Sequence, residues 1–284
     1  MRVAISGGTG FVGSHLSRAL LDRGDEVTLL VRAETNRAHI DARAKTATIE
    51  SLPDVDAIVN LAGAGVMDQR WTEARLRVLR ASRVETTRAL AERSKARVFV
   101  SASAVGYYGM RTDDADLDES SPPGDDVLAR MCVDWEAAAR GASGRVAIAR
   151  IGIVLGKDGG ALARMVPMFR RFAGGPLGSG KQWWSWIHVG DLVRALLFAL
   201  DQNLEGPFNA TAPAPATMND VASELGRALH RPAVARAPAF AMRLALGERA
   251  DVLLTGQRAI PMRLLGAGFQ FRYPELRAAI EAAI

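Results

Sequence analysis

Cysteine is nearly absent from this chain: Cys132 stands alone among 284 residues. One thiol can form neither a disulfide within the chain nor a cysteine-based zinc site. Lysine is almost as scarce, limited to Lys45, Lys95, Lys157 and Lys181, so the basic charge rests on scattered arginines. No basic block and no interleaving of basic with aromatic residues occurs, which argues against a nucleic-acid partner. No apolar run approaches the roughly 20 residues needed to cross a bilayer, and no membrane partner is expected. The N-terminus lacks a cleavable apolar region and enters a strand at once, so a cytoplasmic address is expected by elimination. What is present is ordinary for a soluble enzyme: nearly half the residues are apolar, and 36 basic against 31 acidic residues leave a net charge of +5. The length suits one large domain with an added lobe.

Arg2 to Ser6 is a short apolar run of the kind buried in parallel sheets. Gly7, Gly10 and Gly13 follow it, enclosing Thr9, Phe11 and Val12. Val12, Leu16, Ala19 and Leu20 then keep helical spacing, Gly24 stands where a C-terminal cap belongs, and Glu26 to Val31 reads as a second strand. Each glycine has a task in such a unit. The first permits a tight turn, the second lets a pyrophosphate approach the backbone, and the third lets the helix pack on the sheet. Free N–H groups at the helix start then face the phosphates. A dinucleotide is therefore expected on Gly7, Thr9, Gly10, Phe11, Val12 and Gly13. At the end of the second strand, where an NAD enzyme tends to carry Asp or Glu, the sequence has Val31-Arg32. A planar guanidinium suits a 2′-phosphate, which favours NADP(H); a solvated surface arginine is the other reading of Arg32.

Ala57 to Leu61 reads as a further buried strand, and Ala62-Gly63-Ala64-Gly65 after it are small residues that admit a ligand to the backbone. Thr72 to Arg93 reads as one long helix with an inward stripe of Leu76, Leu79, Arg83, Thr86 and Leu90. Arg83 thus falls on a face that should be apolar, where a cation needs an anionic partner: a cofactor phosphate, a substrate acid or a nearby carboxylate. Arg97 to Ser101, Asp126 to Arg140 and Val146 to Leu155 continue the alternation as strand, helix and strand. The fold class expected is α/β, a Rossmann doubly wound parallel sheet with a smaller C-terminal α+β lobe, its ligand lying across the carboxyl ends of the strands.

Longer stretches carry a resemblance: Val59-Asn60-Leu61-Ala62-Gly63, Arg70-Trp71-Thr72, Ser82-Arg83-Val84-Glu85, Ser101 to Gly109, Trp135-Glu136-Ala137-Ala138, Gly178 to Asp191, Asn209 to Pro213 and Gly268 to Pro274. On these the chain resembles the extended short-chain dehydrogenase/reductase superfamily. More narrowly it resembles an atypical epimerase/dehydratase-like family, sometimes called cell-division-inhibitor-like, with a small C-terminal domain of unknown function. The resemblance implies NADP(H) binding, with Arg32 at the 2′-phosphate, Arg83 near the cofactor, and Leu61, Ala62, Gly63 and Ser101 along it. It implies no substrate.

That superfamily's chemistry normally uses a Tyr and, four residues on, a Lys. Four residues beyond the three tyrosines stand Arg111, Thr112 and Arg277, so no Tyr-x-x-x-Lys exists. Superfamily members often carry a Glu eight residues after the Tyr. Taking Glu136 as that residue puts Leu128 at the Tyr position and Cys132 at the Lys position, within an apolar stripe that includes Trp135 and Ala139. Other proton carriers are then candidates. Ser103 matches the superfamily's catalytic Ser/Thr, Tyr107 and Tyr108 share its loop, and His188 alone in its motif has a pKa near neutrality. Packing is the alternative for the tyrosines, and a helix start beside Asp191 for His188. Asp113, Asp114, Asp116, Asp118 and Glu119 read as a solvated loop, and no metal is expected.

Residues 1–158, completed by 183–211, are expected to form the dinucleotide domain. Residues 159–182 and 212–284 are expected to form the substrate lobe, with the small C-terminal domain at about 235–284 and a short strand at Phe269 to Arg272. Trp183, Trp184 and Trp186 make either an aromatic wall or a packed corner. Two functions remain open: an NADP(H)-dependent oxidoreductase acting on a small carbonyl or sugar-like substrate, or a non-catalytic NADP(H)-binding sensor that docks on a partner. Monomer and homodimer are both open.

Overall fold

The computed structural model describes residues 1–32, 34 and 40–284. The first strands, β1 (Arg2–Ser6) and β2 (Glu26–Leu30), each expose one residue and bury the next four. That is the pattern of strands covered on both faces. Between them α1 (Phe11–Asp22) turns Leu16 and Leu20 into the core. Next come β3 (Lys45–Ala47) and β4 (Ala57–Asn60), the latter wholly buried.

The helix expected over 72–93 is continuous but not regular. It runs as α2 (Glu73–Arg80), a π turn at Ala81–Glu85, and α3 (Thr86–Arg93). A π turn inserts an extra residue and delays the following face by one position. Leu79 is inward as expected, but Val84, Thr87 and Ala91 replace Arg83 and Thr86 beside Leu90 on the buried side. Arg83 is thereby moved to the flank of the helix, half-buried, and Leu76 is half-exposed.

After β5 (Val98–Ala104), a 3₁₀ turn at Val105–Tyr108 and the short β6 (Asp116–Leu117), α4 (Val127–Ala139) starts from Asp126, whose carboxylate accepts from the Leu128 and Ala129 N–H groups. The single strand expected over 146–155 is two, β7 (Arg145–Ile151) and β8 (Ile153–Gly156). They separate at Gly152, where a Cβ would stand 2.1 Å from the Ser185 carbonyl oxygen. That close crossing carries the chain out of the main sheet.

The rest is α5 (Gly160–Arg170), β9 (Trp183–Trp184), β10 (Trp186–His188), α6 (Val189–Asp201), β11 (Gly206–Ala210), β12 (Ala216–Thr217), α7 (Met218–Ala228), α8 (Ala239–Leu246), α9 (Arg249–Leu254), β13 (Arg258–Ala259), α10 (Met262–Gly266) and α11 (Leu276–Ala282). No strand forms at 269–272, contrary to expectation. Phe269 joins the core instead, and the Arg272 and Tyr273 N–H groups donate to the Asp191 carboxylate at 2.8 Å each.

Seven parallel strands pair in the order β11-β7-β5-β4-β1-β2-β3. This is the Rossmann doubly wound α/β fold, and its order reverses between β1 and β4, the position where such sheets bind ligands. A second core holds Leu155, Phe169, Trp184, Trp186, Val221 and Ile280. Trp184 and Trp186 are therefore a packed corner, while Trp183 lies half-exposed with its indole N–H on Asp114.

Candidate dinucleotide site

The turn after β1 is built so that no side chain could stand in it. Gly7 has φ +74°, and a Cβ there would lie 2.6 Å from the Leu61 carbonyl group at the end of β4. A Cβ on Gly13 would meet the Gly7 carbonyl oxygen at 2.1 Å, which fixes how closely α1 sits on the turn. Gly10 is the N-cap of α1 and contributes no side-chain bond, and the first turn carries no acid. The helix thus presents uncapped N–H groups and its partial positive charge to whatever lies above the turn. Phe11 and Val12 serve there through backbone, since the Phe11 ring packs against Gly156 and Gly159 and Val12 against the main core.

A cavity of about 630 Å³ runs from this turn along the carboxyl ends of the strands. Ser6, Gly7, Thr9 and Gly10 line its middle, Val31, Arg32 and Thr48 one end, and Leu61, Ala62, Gly63 and Ser82 the other. A smaller opening of about 280 Å³ adjoins it around Thr9, Phe11 and His15. Arg32 stands exposed on the rim, its Nε 3.3 Å from Glu34. An elongated cavity whose centre is a backbone cradle that any Cβ would fill fits a dinucleotide, with its pyrophosphate over α1.

The β4 end of the cavity is held by polar contacts beneath it. Asn60 donates to Thr87 at 2.7 Å, and the Trp135 indole N–H donates to the same hydroxyl at 2.9 Å. Ser82 Oγ accepts from the Ala64 N–H at 3.0 Å. Arg83 donates to the Ala64 and Leu79 carbonyls, and its guanidinium lies 5.4 Å from the centre of the Trp135 ring. Among the described residues it has no carboxylate partner, and burial pulls its pKa below the ordinary value.

The four proton-carrier candidates do not come together over this cavity; none lines either opening. Ser103 is 2% exposed and donates to Glu136 at 3.0 Å. The same carboxylate takes two bonds from Arg150, Nε to Oε1 at 2.8 Å and Nη2 to Oε2 at 3.1 Å. Arg150 Nη1 continues to the Tyr108 hydroxyl at 3.1 Å, and that hydroxyl lies 2.7 Å from Asn209 Oδ1. The Tyr107 ring is half-buried beneath the Arg150 guanidinium, 3.5 Å from its centre. Burial pushes the Tyr108 pKa up to about 12 despite Arg150. For Arg150, burial works to lower the pKa, but the Glu136 carboxylate more than offsets it and the guanidinium is held above its usual value.

His188 caps α6: its Nδ1 accepts from the Gly190 N–H at 3.0 Å, and its ring lies 4.1 Å from that of Tyr273. Burial lowers its pKa, with Asp191 opposing. Ser101 is fully buried and donates to the Ala102 carbonyl. Cys132 is buried too, and desolvation followed by the Glu136 charge pushes its thiol up to about 12. The Glu136–Arg150 pair at the centre of this network was marked in the sequence only by an arginine inside an otherwise apolar strand.

Comparison with known proteins now decides the family. The model of the NAD dependent epimerase/dehydratase family matches residues 3–210. The chain belongs to that family. A domain of unknown function, DUF1731, matches residues 237–283. The human epimerase family protein SDR39U1 is 41% identical over 297 residues, with all of both chains covered. An epimerase family protein of Mycobacterium leprae is 42% identical, covering 99% of this chain and 95% of the relative. A chloroplastic SDR39U1 homologue of Arabidopsis thaliana is 40% identical, covering 99% of this chain and 86% of its own length. The crystal structure of human SDR39U1 with NADPH superimposes with a TM-score of 0.92 at 39% identity, covering 100% of this chain and 99% of the human one. Among the described residues, no helix of this family member is long and apolar enough to cross a membrane.

Proposed function

We propose that this chain is an NADP(H)-dependent oxidoreductase acting on a small carbonyl or sugar-like substrate without the usual Tyr-x-x-x-Lys pair. The observation that carries the reading is the side-chain-free cradle of Gly7, Gly10 and Gly13 beneath uncapped α1, at the centre of an elongated cavity. The human relative crystallised with NADPH supports the choice of cofactor. Thr9, the backbone of Phe11 and Val12, Leu61, and the small residues Ala62 and Gly63 would hold the dinucleotide, and Arg32 its 2′-phosphate.

Bound NADPH supplies a hydride, leaving the protein to orient it and to admit a proton. Arg83 is the cation available toward the nicotinamide end. It lies between the Gly63–Ala64 backbone and Trp135 of α4, the helix on which the missing lysine would stand. An unpaired guanidinium there would do part of that lysine's work, donating to ribose hydroxyls, but it cannot give up a proton. Ser103 and Tyr108 are committed to the Glu136–Arg150 network. The proton on this reading comes from water or from the substrate.

Calorimetric titration with NADPH, NADH, NADP⁺ and NAD⁺ tests the reading. NADPH is expected to bind tightest, and Arg32→Ala to weaken it roughly tenfold with little effect on NADH, the loss of one charge-assisted contact. Binding of none of the four would overturn it. A second reading, a non-catalytic NADP(H) sensor, is favoured by the commitment of both hydroxyls to buried partners. On that reading bound NADPH is not consumed by any member of a carbonyl panel, whereas the enzyme oxidises it with at least one.

A further inference from the structure

We propose that the face formed by residues 164–181 and 227–247 docks on an anionic lipid surface. Two stretches of the sequence are entirely without acid. Between Asp158 and Asp191 stand Arg164, Arg170, Arg171 and Lys181; between Glu224 and Glu248 stand Arg227, Arg231, Arg236 and Arg243. Without these eight residues the chain's acids outnumber its bases, so the whole positive excess is concentrated here.

The fold lays the two stretches side by side. The Ala235 N–H donates to Gly174, the Ala237 N–H to Pro176 and the Gly178 N–H to Ala237, forming an extended seam. Arg236 ties it further by donating to the Gly178 and Ser179 carbonyls. Among the described residues Arg170, Arg171, Arg231 and Arg236 make no ion pair, so this charge is not neutralised within the chain.

Among the described residues the same face carries half of the large apolar side chains left in solvent: Met168 at 53% exposure, Phe172 at 62%, Val234 at 81%, Phe240 at 75% and Leu244 at 82%. Phe240 and Leu244 are one turn apart on α8 with Arg243 beside them, which places rings, methyls and guanidinium on one helix face. Phe172 is itself held outward. It follows the C-cap of α5 with φ +61°, a left-handed conformation usually left to glycine, and its ring faces solvent against Arg231, 4.6 Å away. The other non-glycine residue with positive φ among those described is His230, next to that arginine. Each stands one residue past a helix C-cap and closes its helix, the N–H groups of Ala173 and Arg231 donating back to the Met168 and Gly226 carbonyls, so the two caps set the outward direction of this edge.

Guanidinium groups interspersed with outward phenylalanine and leucine match a bilayer interface, in which apolar side chains enter the headgroup–acyl boundary and cations meet anionic headgroups. A second copy of this face would bring like charges together, which disfavours self-association through it. The short apolar runs that exclude a spanning segment say nothing against attachment to a surface.

Flotation of the full chain, loaded with NADPH, with phosphatidylcholine vesicles and with phosphatidylcholine–phosphatidylglycerol vesicles tests the proposal. The protein is expected to float with the anionic vesicles only, and less as salt rises. Replacing Arg170 and Arg171 by Gln should lower partitioning roughly 30-fold, and Phe240→Ser with Leu244→Ser should abolish it. Both variants should bind NADPH as the parent does, which shows them folded. Failure to float with anionic vesicles would overturn the proposal. So would flotation indifferent to the apolar substitutions, or a dimer in solution that Leu244→Ser dissociates.

Discussion

Arg150 and Glu136 are both essentially excluded from solvent, at 2% and 1% exposure. Arg150→Met would leave the carboxylate with Ser103 and the exposed Arg140 alone, and breaking one side of a buried pair costs about 3–5 kcal/mol. Urea denaturation should show that loss, with part of it recovered when Glu136→Leu is added. Gly7→Ala sets a second test at this scale. Its Cβ would collide with the end of β4, so NADPH binding should disappear and stability fall. Gly106→Ala, which meets nothing within 4 Å, should leave both unchanged in calorimetry and thermal melts. The sequence displayed the glycine turn and concealed the buried pair. Glycine spacing is visible in a string of letters because backbone demands that residue there. A pair 14 positions apart becomes a pair only when β7 lies against β5 and α4 covers both.

At the scale of elements, α6 begins at a titratable cap. Burial lowers the His188 pKa, so the folded protein binds this proton less readily than the unfolded chain does. The associated stability is complete above the unperturbed value of about 6.5 and is lost as pH falls through the folded value. Protonated Nδ1 can no longer accept from the Gly190 N–H, and losing a cap costs about 1 kcal/mol. His188→Asn, which caps without titrating, should flatten this part of the stability–pH curve relative to the parent in parallel denaturant titrations. Periodicity located α1, α4 and the strands β1, β2, β4, β5 and β7, because their buried faces repeat, but neither β3 nor β11. It missed the π turn at Ala81–Glu85, which leaves no mark in composition, and so put Arg83 on the wrong face. It also read a strand at 269–272, where apolar alternation serves core anchoring without a neighbouring strand to pair with.

Across the whole molecule, the C-terminal residues share the first core. Leu264 and Phe269 pack in the same cluster as Val3, Leu16 and Leu196. Arg249 also reaches the Met67 carbonyl, and Arg164 reaches Asp68, linking α9 and α5 to the loop that follows β4. Thermal unfolding is therefore expected as one transition. NADPH at a hundred times its dissociation constant should stabilise that transition by about 2.7 kcal/mol, read as a rise in Tm without a second peak. Truncation after residue 236 should lose this cooperative transition, measurable by scanning calorimetry. The sequence made the doubly wound parallel sheet readable, but not this sharing of a core between chain ends, since contacts of long separation have no local signature.

Asp191 carries a last consequence, for how the protein is made. Its carboxylate is fully buried and accepts from backbone N–H groups 81 and 82 residues further along the chain. On a ribosome those donors emerge well after α6 has been synthesised, and until they arrive the carboxylate must keep its water. The start of α6 consequently cannot seal until Arg272 and Tyr273 have emerged, and the nascent protein must carry an unfinished nucleotide domain until then.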